Sequence, residues 1–185
     1  MGVLEILLIG VGLSMDAFAV TISNAMAMPR LTALERWAFP LAFGIFQALM
    51  PLIGYLAGSF FAGYIEQIAG IFTFIVLGAL GANMAREGVK GLRHPEEVEP
   101  KSFSMGLVLL QAVATSIDAL AVGVSFAGYV SLAVGPACGL IGVVTLGICL
   151  VGLEAGRRLG LAFGAKAQIA GGLILVIIGI RALLG

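Results

Sequence analysis

Apolar residues run along this chain in six long blocks, at roughly 3–27, 38–60, 65–85, 103–127, 131–154 and 166–184. Each is close to the ~20 residues that an α-helix needs to cross a bilayer, so the pattern predicts six transmembrane helices. The polar gaps are short except for one, REGVKGLRHPEEVEPK from Arg86 to Lys101, whose mixed charges and two prolines suggest a flexible tether. The chain then divides into a three-helix unit at 1–85, a linker at 86–102 and a second three-helix unit at 103–185.

The two units repeat each other. Ser14, Asp16, Ala17, Ala19, Val20 and Ser23 recur as Ser116, Asp118, Ala119, Ala121, Val122 and Ser125. Gly44, Gly54 and Gly58 recur as Gly142, Gly152 and Gly156, and Ile68-Ala69-Gly70 and Gly78 recur as Ile169-Ala170-Gly171 and Gly179. Three helices is an odd number, so a second copy must enter the membrane from the opposite face. The expected fold is an all-α membrane protein of two inverted-topology repeats, a plan common among secondary transporters.

Charge orients this arrangement. Arg30, Arg36, Arg86, Lys90, Arg93, Lys101, Arg157, Arg158 and Lys166 follow the odd-numbered blocks, and Arg181 alone falls on the other side. The positive-inside rule puts the three basic loops in the cytoplasm and both termini outside it. Composition then narrows the class. A chain of 185 residues that is 61% hydrophobic and 11% charged has too much apolar surface for one soluble core. The first block lacks preceding basic residues and is longer than a signal-peptide core, so it reads as a retained helix. Cys138 and Cys149 share one predicted helix, too far apart for a disulfide, and read as packing residues. His94 is the only histidine and sits in the polar loop, which argues against histidine-based metal sites and catalysis. No glycine-rich phosphate cradle followed by lysine occurs, so ATP-driven transport by this chain alone is not expected, and nothing marks a nucleic-acid partner.

Asp16 and Asp118 fall near the middles of the first and fourth blocks. An ionised carboxylate there costs about 3 kcal/mol on insertion scales, and such acids usually face a protein interior or a water-filled cavity. Val20 and Ser23 share the face of Asp16, with Asn24 beside them; Thr115 and Ser125 stand three before and seven after Asp118. Ser14 and Ser116 point elsewhere on an intact helix and would join only where it unwinds. Pro51 displaces the carbonyl four residues earlier, which makes Gln47 a candidate oxygen donor; the repeat puts Thr145 at the matching position. Asn83 is a candidate for the cytoplasmic entrance. Two carboxylates with neutral oxygens suit hard divalent cations such as Mg2+, Ca2+ or Mn2+. A departing metal leaves repulsion and desolvation that favour protonation, so metal and proton would compete for one site. Met15 and Met26 are read as packing residues. Glu154 pairs with Arg158, Glu5 and Arg181 lie near span ends, and Glu66 and Glu87 look interfacial.

The stretches GLSMDAFAVTIS, FGIFQALMPLIG, ATSIDALAVGVSF and KAQIAGGLILVIIGI together resemble the MntP-type bacterial manganese-efflux pumps, over nearly the whole chain. More distantly, that family is similar to the lysine-exporter superfamily. The resemblance implies export of Mn2+, as transported substrate rather than cofactor, across the bacterial inner membrane, with Asp16 and Asp118 as transport acids. Some members carry glutamate where this chain has Gln47, so the number of acids at the site differs here. Exporters of another divalent cation or a small cationic metabolite remain alternatives, as does a passive channel. An intramembrane aspartyl protease is disfavoured because neither aspartate follows Gly-x-Gly. The chain is therefore read as a non-enzyme that engages a divalent metal ion, protons and the lipid bilayer, with its oligomeric state open.

Overall fold

A computed structural model describes residues 2–28, 31–60, 62–93, 102–128, 133–159 and 161–184. Among them are seven helices: α1 (Val3–Ala27), α2 (Ala33–Ser59), α3 (Ala62–Arg93), α4 (Met105–Thr115), α5 (Ile117–Phe126), α6 (Val134–Leu159) and α7 (Leu161–Leu184). Arg30, His94 and Lys101 lie outside the described residues, as do the side chains of Glu66 and Arg157.

Local sequence sets the ends. The Glu5 carboxylate accepts the Gly2 N–H at 2.9 Å and closes the start of α1. At α2, Thr32 accepts the Glu35 N–H at 3.4 Å while Glu35 accepts the Thr32 N–H at 2.8 Å, a reciprocal cap. The expected third span ends at 85, yet α3 continues to Arg93, with Lys90 and Arg93 in its last turn beside the negative helix end. The fourth apolar block is not one helix but two, α4 and α5, joined at Ser116.

Four described stretches are long and apolar enough to cross a membrane: Val3–Ala27, Ala33–Ser59, Met105–Phe126 and Val134–Gly156; Gln168–Arg181 forms a shorter apolar one. Burial is inverted relative to a soluble domain. Leu41, Ile45, Leu49, Ile53 and Leu56 form an exposed stripe along α2, whereas Ser14, Thr21, Asn24, Gln47, Ser116, Ser125 and Thr145 are buried. The outer apolar face suits lipid, and all of these polar side chains but Ser125 donate a hydrogen bond inside the protein. The protein is a multi-pass membrane protein.

Helix α3 packs along α7, α1 lies against α6 and α7, and α2 lies against α6, α4 and α5. The closest backbone approaches require glycine. A methyl group at Gly44 would stand 2.9 Å from the Gly142 carbonyl oxygen, and one at Gly142 would stand 2.7 Å from that of Gly44. Gly54 abuts the Leu120 carbonyl and Gly152 abuts the Phe18 ring; Gly58 meets Val124 and Ala127, while Gly156 meets Ile22 and Ala25. Small-residue faces of this kind let membrane helices pack through dispersion contacts. Ile9, Leu13, Ala119, Val122 and Phe126 belong to one apolar cluster; Ala17, Phe39, Phe43, Val108 and Ala112 belong to another.

Candidate functional site

At the break, the Ser116 side chain bonds back into its own helix. Its hydroxyl donates to the Ala112 carbonyl at 2.6 Å, and its N–H reaches only three residues back, to Val113 at 3.2 Å. Back-bonding of this kind bends helices, and Ser116 adopts φ −110°, ψ 6°. The Ala119 N–H, which a regular helix would give to Thr115, donates instead to Asp118 Oδ1 at 3.0 Å. Asp118 thereby occupies the first turn of α5, where the helix dipole favours a carboxylate.

The Thr115 carbonyl is taken by Gln47. From fully buried Gln47 on α2, Nε2 donates to the Thr115 carbonyl at 3.1 Å and to the Leu13 carbonyl at 3.2 Å. Leu13 and Thr115 each stand three residues before an aspartate, so one amide ties both phrases together. Two carbonyl acceptors fix which end of the amide faces them, which leaves Oε1 on the other side. Gln47 Oε1, Asp118 Oδ2 and Ser125 Oγ are buried without a hydrogen-bond partner. Buried polar atoms left unpaired cost about 1–3 kcal/mol each, so such atoms call for a ligand or an ion.

Asp16 has a different setting. Helix α1 is unbroken there, and Asp16 Oδ1 accepts a hydrogen bond from Gln168 Nε2 of α7 at 3.1 Å. Among the described residues no group of three or more His, Cys, Asp or Glu side chains could hold a metal.

The remaining sequence candidates separate into groups. Thr115 contributes its carbonyl, because its hydroxyl donates to Gln111 O at 2.9 Å. Thr145 is buried and its hydroxyl returns to Ile141 O at 2.9 Å, so it does not mirror Gln47. Ser14 likewise returns to Val11 O at 2.9 Å, and the break at Ser116 does not turn that hydroxyl outward. Ser23 is half-buried on α1. Asn24 forms a reciprocal amide pair with Gln111, at 2.7 Å and 3.3 Å. Asn83 is exposed and donates to Glu87 Oε1 at 2.9 Å. Met15 packs against Gly171. The Glu154–Arg158 pair expected from spacing forms at 2.5 Å, and Glu5 meets Arg181 at 3.3 Å. Cys138 and Cys149 are free and buried.

Sequence reasoning missed Gln168 and Gln111. Gln168 directly precedes the repeated Ile169-Ala170-Gly171 phrase, which was the available signal. A cleft of about 210 Å³, lined by Ala25, Arg36, Trp37 and Glu154 among others, includes neither aspartate.

Comparison with known proteins shows the family. The family described as "Mntp: Putative manganese efflux pump" matches residues 30–183. A Desulfitobacterium hafniense protein named "Putative manganese efflux pump MntP" is 44% identical over 184 residues, covering 100% of this chain and 95% of the relative. Same-named relatives are 38% identical in Clostridium perfringens (100% of this chain, 95% of the relative) and 40% identical in Acetivibrio thermocellus (99% and 91%). No solved structure matches. With a family match across most of its length and relatives aligned end to end, the chain belongs to the Mntp family.

Proposed function

We propose that this chain is a secondary transporter that exports Mn2+ from the cytoplasm across the inner membrane in exchange for protons. Asp16 and Asp118 supply the charged ligands, and Gln47 Oε1 supplies a neutral oxygen. The observation that carries this reading is the Gln47 amide. It joins the carbonyls that precede the two aspartates and leaves its own oxygen, with Asp118 Oδ2, buried and unpartnered. Carboxylate and amide oxygens are hard donors suited to Mn2+. Two carboxylates match the charge of one Mn2+ or of two protons, so exchange keeps the loaded site near neutral in both states.

Alternating access follows from the proposed inverted repeat at 1–85 and 103–185, joined by the linker at 86–102. Glycine contacts support it. Gly44 meets Gly142, its own counterpart; Gly54 and Gly152 meet Leu120 and Phe18, which are counterparts 102 positions apart. Gly58 and Gly156 meet Val124 with Ala127 and Ile22 with Ala25, again spaced by 102. In this reading six spans cross the membrane, α4 and α5 together making the fourth. Both termini lie outside the cytoplasm, and the basic ends of α3 and α6 lie inside. Ser23, Asn24, Thr115, Ser125, Thr145 and Asn83 line or support the route rather than form its charged centre.

The test is Mn2+ flux in proteoliposomes under an imposed pH gradient. Native protein should move Mn2+ against its gradient, with Asp16→Asn and Asp118→Asn reduced to background while remaining folded. Undiminished flux in either variant would remove that acid from the site. Flux that ignores the proton gradient would make the protein a channel, and stronger competition by Ca2+ or Mg2+ than by Mn2+ itself would reassign the cargo.

A further inference from the structure

Helices α1 and α4 are tied together at two depths. At the aspartates the tie runs through Gln47, whose amide holds the Leu13 and Thr115 carbonyls. The second tie is direct. Asn24 Nδ2 of α1 donates to Gln111 Oε1 of α4 at 2.7 Å, and Gln111 Nε2 donates to Asn24 Oδ1 at 3.3 Å. Asn24 comes eight residues after Asp16 and Gln111 seven before Asp118. At the usual rise per residue the pair lies about 12 Å and about 10 Å along the two helices from the acids. Both displacements run toward the same end, since α1 leads into the loop carrying Arg30 and Arg36 and α4 follows the polar linker. On the orientation proposed above that end is cytoplasmic. The pair is set in hydrocarbon. Ala27 and Met28 at the end of α1, Phe39 of α2, and Val108 and Ala112 of α4 belong to one buried cluster, and Phe103 meets Phe39 edge-on at 6.0 Å. Asn24 itself is buried.

We propose that the Asn24–Gln111 carboxamide pair is the cytoplasmic gate of the aspartate site. It holds the passage between α1 and α4 shut in this structure, and metal enters from the cytoplasm only when the two helices part there. The inference rests on the transport reading above and adds to it which contact closes the entrance. A reciprocal amide pair suits the task. Closed, each amide satisfies the oxygen of the other, so two polar side chains can sit in apolar packing. Open, it frees two hard carboxamide oxygens that a dication can use in place of water. Interhelical amide pairs in membranes are weak, because separated amides find other partners, so the contact can break and re-form in each cycle. A seal of hydrocarbon alone would give an entering ion nothing in exchange for its water.

The experiment combines Asn24→Cys with Gln111→Cys and bridges the two thiols with a short bis-methanethiosulfonate that a reductant removes. Initial-rate Mn2+ uptake into everted membrane vesicles, which present the cytoplasmic face, reads the gate. Equilibrium Mn2+ binding by the same protein in detergent reads the site. Bridging should bring uptake to background and reductant should restore it. Binding should persist in the bridged form, because the opposite end stays free to open. The reagent should leave uptake unchanged in either single-cysteine variant and in the native chain, whose Cys138 and Cys149 are buried. Asn24→Leu with Gln111→Leu, an apolar seal that needs no reagent, should lower Vmax several-fold with binding intact. Full uptake by the bridged protein, native Vmax in the double leucine variant, or failure of the two thiols to bridge in the metal-free protein would overturn the gate and leave the transport reading standing. So would loss of Mn2+ binding together with uptake, since the pair would then be holding the site itself together. Absence of Mn2+ uptake by the native protein would overturn both.

Discussion

The phrases Ser14-Met15-Asp16-Ala17 and Ser116-Ile117-Asp118-Ala119 are nearly the same letters in two different backbones. In α1 the helix runs through, and Asp16 takes a hydrogen bond from Gln168 of a neighbouring helix. Between α4 and α5 the helix stops, Asp118 caps its own second half, and Asp118 Oδ2 is left without a partner. Both serine hydroxyls bond backward: Ser14 reaches three residues, at 2.9 Å, whereas Ser116 reaches four, at 2.6 Å, and also three, at 3.2 Å. Phrase identity therefore does not secure conformational identity. The same words supply one carboxylate already held by the protein and one left open, and Gln47 binds the carbonyl ahead of each.

That shared amide is the place to break the comparison most severely. Gln47→Leu preserves bulk but removes the side-chain donor that reaches both carbonyls. It leaves the Thr115 carbonyl without the partner that the break made necessary. We expect a loss of about 2 kcal/mol in stability, read as a lowered unfolding temperature in detergent, and Mn2+ flux at background. Native flux in Gln47→Leu would show that the two phrases do not depend on their common tie. Gln168→Ala cuts only the Asp16 side. Loss of a group that positions a metal ligand usually costs about 10–100-fold in affinity, and the lower end is expected here because Asp118 is untouched. Equilibrium Mn2+ binding measures it: a drop of about tenfold at unchanged stoichiometry would assign Gln168 to orienting Asp16.

The sequence made α1, α2 and the outward apolar faces legible because long apolar runs report directly on lipid exposure. It also singled out Gln47, through Pro51 one turn later, although in the structure the amide nitrogen makes the contacts and the side-chain oxygen has no partner. The break at Ser116 was not legible. A serine back-bond is available to both phrases, and tertiary partners decide which helix yields. The Thr115 carbonyl can leave its helix because Gln47 receives it. Gln168 was hidden for a related reason: its partner lies 152 positions away, and helical spacing says nothing about which helices meet. Thr145 shows the converse, a position that the sequence repeat pairs with Gln47 but whose hydroxyl is consumed inside its own helix.

A subtler contrast lies farther along the same helices. Asn24 of α1 and Gln111 of α4 exchange two amide hydrogen bonds, at 2.7 Å and 3.3 Å. Their counterparts 102 positions away are Phe126 and Ile9, both fully buried in one apolar cluster. Helix α1 thus carries a polar contact toward one end, at Asn24, and buried hydrocarbon toward the other, at Ile9. Amides can exchange their partners for water when helices separate, whereas exposing Ile9 and Phe126 to water carries a hydrophobic penalty. In membranes such an interhelical pair averages only about 0.6 kcal/mol, because separated amides find other partners. A double-mutant cycle with Asn24→Ala, Gln111→Ala and the double variant should return a coupling near that size, read from unfolding in detergent or bicelles. The transport consequence should be small and directional. Ile9→Asn, which gives the apolar end a polar group, should change flux more than Asn24→Ala. Equal effects would mean that the two ends open with the same ease despite their different chemistry.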